Sequence, residues 1–491
     1  MAAGTSEGQN SKGKTMSRLT VLLVMAAASG AVAEDFADMR GANYVPSYAR
    51  NDVQLWMDYD PAVIDRELGY AARLKLNTVR VFLQFAVYER DPALFLQRFE
   101  NFLSLCEKHQ IRMMPVVFDS CFGEFPDLVN YKDKNWMANP GQNRLGREHW
   151  PKLEHYVRDV VGGHRDDRRI VMWDVMNEPT CTSFNKPEDK ELIWTFLRHF
   201  LDYVKQVDPN HPLTVGVEHS SLIPQVLDKI DVLATHNYRT DLREDLRAVK
   251  ALAQPHGKAV IINEVAGRPK QPYSYVMPIL AEEKVGWCFW ELMIGRTQFS
   301  QGTAPYQGVI YPDGTCYDAA EVMHIVYPGQ AGLEPRKVAA ELGLPQTGPS
   351  KIPNTDRIFQ YSDGWTLWTG SGPWPGTLRY NNSAGGWVDV DFEGTAVHLV
   401  HKVGPDCGLA QVFIDGKPAT AQHGGQLKAD ARGDTFLDTY GSAVDWNRRT
   451  TVARGLPPGK HKLTIVVTGD KDYWSSDCYV QIVGVDVEYS E

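Results

Sequence analysis

Between residues 38 and 328, short apolar runs alternate with longer stretches whose apolar positions recur at helical spacing. The runs RGANYV (40–45), NTVRVFL (77–83), RMMPVVF (112–118), IVMWDVMN (170–177), LTVGVE (213–218), DVLATHNY (231–238), AVIINEV (259–265) and GWCFWELM (286–293) are predicted strands. In the stretch 91–109, Phe95, Phe99, Phe102, Leu103 and Cys106 share one helical face. Strands that are apolar throughout have both faces covered, which predicts a parallel sheet flanked by helices. Eight such units in under 300 residues predict a closed eightfold barrel.

After residue 328 the pattern changes. Residues 329–354 are rich in Gly and Pro and read as a join, with KVAAEL (337–342) patterned as a short helix. Beyond it the period is two. Val388, Val390 and Phe392 alternate with Asp389 and Asp391, and Leu463, Ile465 and Val467 alternate with polar neighbours. Turn residues such as Asp415-Gly416 punctuate these runs, which predicts an antiparallel sandwich. The last strand changes apolar parity at Gly484, where a bulge is expected. The expected fold class is therefore α/β, a (β/α)8 TIM barrel followed by a smaller all-β antiparallel sandwich. The expected boundaries are a leader at 1–33, the barrel at 34–328, a linker at 329–356 and the sandwich at 357–491.

Composition adds limits. With 43% hydrophobic and 23% charged residues, the chain can build ordinary cores. A net charge of −10 argues against nucleic acid or an anionic membrane as a partner. There is no phosphate-binding glycine loop, HExxH or paired CxxC. Arg18, the apolar run that follows it and Ala31-Val32-Ala33 form an export signal, with cleavage expected after Ala33 and Met16 a second candidate start. The expected location is extracellular or periplasmic. Seven widely spaced cysteines are no disulfide framework. Cys121 with Cys181, and Cys407 with Cys478, are the pairs that could bond, buried free thiols being the other reading.

Two carboxylates carry the chemistry. Glu178 follows Asn177 at the end of the predicted fourth strand and precedes Pro179; Glu264 follows Asn263 at the end of the seventh. In a parallel barrel the carboxyl ends of all strands open on one face, where reacting groups collect. Two carboxylates converging there suit the cleavage of a sugar acetal, one protonating the leaving oxygen and the other attacking the anomeric carbon or activating water.

With these residues in place, the stretch 38–328 resembles a glycoside hydrolase of clan A, closest to family 5 and its cellulase and endo-β-mannanase relatives. The resemblance implies Glu178 as acid/base and Glu264 as nucleophile of a secreted retaining β-glycoside hydrolase. It also implies that Arg80, Asn177, His236, Tyr238 and Trp290 bind substrate or support the glutamates. On that reading Glu264 is kept ionised by Arg80 and Tyr238, whereas the surroundings of Glu178 raise its pKa. Asn177 reaches the sugar 2-hydroxyl, and Trp290 offers an apolar face to the ring.

WDVMNEPTC and VDPNHPLTVGVE are similar to mannanases, which orders the expected substrates as β-1,4-mannan, then β-1,4-glucan. A strand-three His of many family cellulases is replaced here by Asp119, read with Glu124 as an exposed loop acid. Glu218 is a rival strand-end carboxylate without the Asn motif. Tyr88, Phe122, Trp136 and Trp150 are candidate subsite aromatics, and Tyr473 and Trp474 are candidate glycan contacts on the sandwich. Trp387 reads as a core position. The expected partner is a carbohydrate, with no cofactor, no metal, no membrane after leader removal, and a monomeric chain. The alternatives are a non-catalytic glycan-binding protein on the same barrel, a metal-dependent hydrolase, and a hydrolase of the same clan acting on xylan or β-galactoside.

Overall fold

The computed structural model describes residues 1, 36–121, 125–181, 187–268, 270–298, 307–346, 350–356, 358–370, 372–373, 376–419, 427–430 and 435–488. The expected export signal, Phe122 and Glu124 lie outside them. Among the described residues no helix is long and apolar enough to cross a membrane.

Eight parallel strands close into a barrel in chain order: β1 (Arg40–Asn43), β2 (Thr78–Phe82), β3 (Arg112–Asp119), β4 (Trp173–Asn177), β5 (Leu213–Val217), β6 (Val232–Asn237), β7 (Ala259–Val265) and β8 (Gly286–Phe289). β2, β4, β5, β6 and β8 are buried along their whole length, the physical reason for their unbroken apolar runs. The helix Pro92–Lys108 shows how local sequence sets an element. Pro92 starts it, the Asp91 side chain accepts from the Leu94 N–H at 3.0 Å, and Phe95, Phe99, Phe102, Leu103 and Cys106 are its buried stripe. In β5, a Cβ on Gly216 would stand 2.6–2.9 Å from Asn263, Arg80 and His236, so glycine leaves room for side chains that meet over it.

The C-terminal region forms two antiparallel sheets face to face. Strand Trp387–Glu393 pairs with Lys460–Val467, matching Val388 to Ile465 and Val390 to Leu463 across the inner face. Trp387 is one residue out of phase with that face and is 39% exposed, so it is not a core residue as its spacing suggested. In the final strand, Val480–Glu488, the register slips between Gly484 and Ile482 opposite Val400–His401. Val485 and Val487 thereby reach the same core as Val480 and Ile482.

The stretch expected as a linker carries structure. Helix Pro335–Glu341 follows the barrel, Ala339 and Leu344 join the barrel's apolar core, and strand Ser350–Pro353 pairs with Val480–Glu488 of the sandwich. Lys351 Nζ donates to the Tyr317 hydroxyl at 3.0 Å, tying that strand to the barrel. We propose that the barrel unit extends to about residue 346. Exposing or deleting buried Val338 and Leu344 costs roughly 3–5 kcal/mol. A chain ended at 330 is therefore expected to melt several degrees below one ended at 346. Equal melting temperatures by calorimetry would refute this boundary.

Candidate active site

The carboxyl ends of β2, β3, β4, β6, β7 and β8 surround a cleft of about 360 Å³ lined by Phe82, Cys121, Trp136, Asn177, Glu178, Tyr238, Glu264 and Trp290, among others. A larger cleft of about 1250 Å³ lies between helix Ala319–Val326 and the sandwich, but neither strand-end glutamate lines it. The chemistry is therefore built from the smaller one.

Arg80 is fully buried and links residues that line the cleft. Its Nη1 donates to Glu264 Oε1 at 2.6 Å and to Asn43 Oδ1 at 2.8 Å; its Nη2 donates to Asn177 Oδ1 at 2.6 Å; its Nε donates to Asp174 Oδ2 at 2.9 Å. Asp174 also accepts from the Gly216 N–H at 3.0 Å and from Asn263 Nδ2 at 2.9 Å. A buried guanidinium needs such compensation, because each unpaired charge in the interior costs several kcal/mol. Asp174, Asn43 and Asn263 thus fix the Arg80 fork, which in turn fixes Glu264 and Asn177. The one sequence signal for Asp174 is a charge in the middle of the apolar run VMWDVM.

Glu264 is held at both oxygens. Besides Arg80 at Oε1, the Tyr238 hydroxyl donates to Oε2 at 2.8 Å. Glu178 stands across the cleft, with a φ of 41° and its N–H bonded to Gly216 O at 2.7 Å. A left-handed backbone at a non-glycine residue is strained, and it turns this side chain out of the strand line into the cleft. His236 Nδ1 is 2.7 Å from Glu178 Oε1 and 3.4 Å from Glu264 Oε2. One oxygen of Glu178, one of Glu264 and a His236 ring nitrogen all lie within 4.8 Å of one another.

The electrostatics differ from the sequence expectation. Burial acts to raise Glu178, but the hydrogen bond and charge of His236, with the Cys121 and Cys181 thiols, outweigh it and hold the carboxyl down at about 2. Burial pushes Glu264 up, against the charges of His236 and Arg80. Burial also acts to lower His236, yet the charge of Glu264 and the bond to Glu178 raise it above its ordinary value. The expected assignment, a raised Glu178 and a lowered Glu264, is thus inverted in the resting arrangement. The cause is that His236 and the thiols aim at Glu178, an orientation no strand pattern reveals.

The remaining expected residues divide. Trp290 and Trp136 line the cleft with ring centroids 6.3 Å apart. Asp119 is not an exposed loop acid. It is buried at the end of β3 and accepts from Trp136 Nε1 at 2.6 Å and Asn177 Nδ2 at 2.9 Å. Burial pushes its carboxyl up to about 7, against the hydrogen bonds of Trp136 and Asn177. Tyr88 is core rather than subsite, packed on Phe95 and Tyr156 with its hydroxyl on Asp159 Oδ2 at 2.6 Å. Trp150 stacks on His199 at 4.0 Å, away from the cleft. Glu218 accepts from the Thr180 N–H at 3.1 Å and so braces the turn after Glu178. On the sandwich, Tyr473 and Trp474 are 88% and 74% exposed, whereas Trp365 is in the core.

Residues 68–295 match the family described as Cellulase (glycosyl hydrolase family 5). The resemblance to that family, read from the strand-end motifs, is thereby shown for the barrel. Mannan endo-1,4-beta-mannosidase F of Aspergillus clavatus is 29% identical over 136 residues, 26% of this chain and 28% of its own length. Mannan endo-1,4-beta-mannosidase 1 of Oryza sativa subsp. japonica is 27% identical over 128 residues, 24% of this chain and 29% of its own. The chain spans less than half the length of these curated relatives. Exo-beta-1,4-mannosidase Op5Man5 from Opitutaceae bacterium strain TAV5 aligns over 62% of this chain and 67% of its own, with a TM-score of 0.45 and 16% identity.

Proposed function

We propose that this chain is an exported glycoside hydrolase that cleaves β-1,4-linked hexans with retention of configuration, mannan first and glucan second. The observation that carries the reading is the approach of the two strand-end glutamates, with an oxygen of each within 4.8 Å. Retaining enzymes hold their two carboxyl groups about 5–5.5 Å apart and inverting ones about 6.5–9.5 Å, to seat a water; an oxygen–oxygen approach within 4.8 Å supports the narrower spacing. The mannan preference is supported by the named activity of the relatives and by the NEPTC turn.

On this reading Glu264 attacks the anomeric carbon. Its two oxygens are oriented separately, by Arg80 and by Tyr238, so the attacking lone pair is placed before substrate arrives. Glu178 must deliver a proton to the leaving oxygen, and His236 Nδ1, 2.7 Å from its Oε1, is placed to share one with it. Transfer from Nδ1 to Oε1 across that bond makes both groups neutral with no change in net charge. Once Glu264 is esterified its negative charge is gone, and Glu178 then takes a proton from water to complete hydrolysis. Asn177, held by Arg80 and Asp119, presents its amide to a sugar hydroxyl, and Trp290, Trp136 and Phe82 wall the ring.

The test is a panel of β-1,4-mannan, β-1,4-glucan, xylan and β-galactan with product sizing, and NMR of the first anomer released. Hydrolysis of mannan to β-configured ends, unaffected by chelator, is expected. An inverted first product would overturn the double displacement, and turnover of xylan with neither hexan cleaved would overturn the substrate order.

A further inference from the structure

Two thiols border the acid/base. Cys121 Sγ, just past β3, donates to Glu178 Oε2 at 2.8 Å and lies 3.2 Å from Cys181 Sγ in the turn after β4. Cys121 is buried, whereas Cys181 is exposed. We propose that Cys121 and Cys181 are a cross-linking site whose disulfide removes the thiol donors from Glu178 and so favours its protonated, proton-donating form. The proposal rests on the hydrolase reading for its consequence, but not for the bond itself.

The geometry suits the chemistry. A disulfide needs the sulfurs about 2 Å apart, so these must close by roughly 1 Å between two loop residues. The exposed Cys181 is the entry point. Its thiolate attacks a low-molecular-weight disulfide, breaking that S–S bond and releasing one small thiol. Cys121 Sγ then attacks Cys181 Sγ, the mixed disulfide breaks, and a second small thiol leaves. The protein loses two S–H protons and two electrons, and the small disulfide becomes two thiols.

The effect on Glu178 follows from its neighbours. Facing it are His236 from β6 and Tyr238 just after it, Glu264 from β7, Arg80 from β2 through Asn177, Asp119 from β3 and Cys121 just past it, Cys181 after β4, and, through Thr180, Glu218 just past β5. Hydrogen bonds to a carboxylate favour its charged form. The thiols are two of the donors that hold Glu178 low, and a disulfide sulfur has no hydrogen to donate. His236 remains, but with fewer competing donors the shared proton moves toward Glu178. The sign is fixed: oxidation raises the Glu178 pKa, so the acid stays protonated to higher pH and the basic limb of the rate profile moves up.

The full-length protein is compared after treatment with oxidised glutathione and after dithiothreitol. Oxidation is expected to lower the mass by two hydrogen atoms and to remove two titratable thiols. In protein carrying 13C-labelled glutamate, the carboxyl resonance that disappears in Glu178→Gln is expected to titrate roughly one pH unit higher in the oxidised form. The basic limb of hydrolysis should move with it. Cys181→Ala and Cys121→Ala each keep one thiol donor and cannot cross-link, so each should titrate identically after oxidant and after dithiothreitol, between the two forms of the parent. Retention of both thiols after oxidant, or an unchanged Glu178 titration, overturns the proposal. A shifted resonance with no hydrolysis of any glycan supports it and overturns the hydrolase reading instead.

Discussion

Glu264→Ala is expected to lower kcat by roughly 10⁵-fold on every glycan, with KM little changed. The loss is large because no other group can replace the carboxylate. Arg80 and Tyr238 would still face the vacated space, but neither is a nucleophile at neutral pH. Truncation opens a volume beside a guanidinium, which suits a small anion. Azide should therefore restore partial turnover of substrates with good leaving groups and give the α-glycosyl azide, since it attacks from the side of Glu264. The buried Arg80 would lose one of its two carboxylate partners and keep Asp174 at 2.8 Å. A modest fall in melting temperature is expected alongside, and circular dichroism separates it from the chemical effect. Formation of the β-azide would exchange the roles of the two glutamates.

Glu178→Ala should divide substrates by leaving group. Polysaccharide and unactivated oligosaccharides need a proton at the departing oxygen, and on them kcat/KM is expected to fall by roughly 10²–10⁴-fold. Activated aryl glycosides need none, so their first step should run near the parent rate. Their covalent intermediate should then accumulate, because no base remains to activate water. A burst of aryl alcohol followed by slow turnover would be seen, and azide should speed the second phase and give the β-azide. Equal losses on activated and unactivated substrates would count against Glu178 as the proton donor. His236 could not take over directly, since its Nδ1 reaches the leaving oxygen only through the Glu178 carboxyl that the variant removes.

The eight strands, their order and the position of both glutamates at strand ends were legible in the chain, because each rests on local facts. An apolar run of five to eight residues must be buried on both faces, and a barrel's carboxyl ends open on one side. The inner face of the sandwich was legible for the same reason, Val388, Val390, Leu463 and Ile465 having a period that admits one assignment. Trp387 shows the limit. Alternation places it, but a one-residue difference in phase sends it to solvent.

The sequence by itself therefore determined the α/β barrel, the sandwich and the two strand ends from which Glu178 and Glu264 project. Only the tertiary structure decided what surrounds them. Asp119 was an ambiguous loop acid until burial made it the anchor of Asn177 and Trp136, and Tyr88 was a subsite candidate until its ring met Phe95 and Tyr156. Cys121 and Cys181 are 60 residues apart in the chain, and nothing in their spacing says that both reach Glu178. Protonation is settled at the same level. It depends on which donors point at which oxygen over 2.6–3.4 Å, and such distances arise from strands closing into a barrel rather than from the order of residues along any one of them.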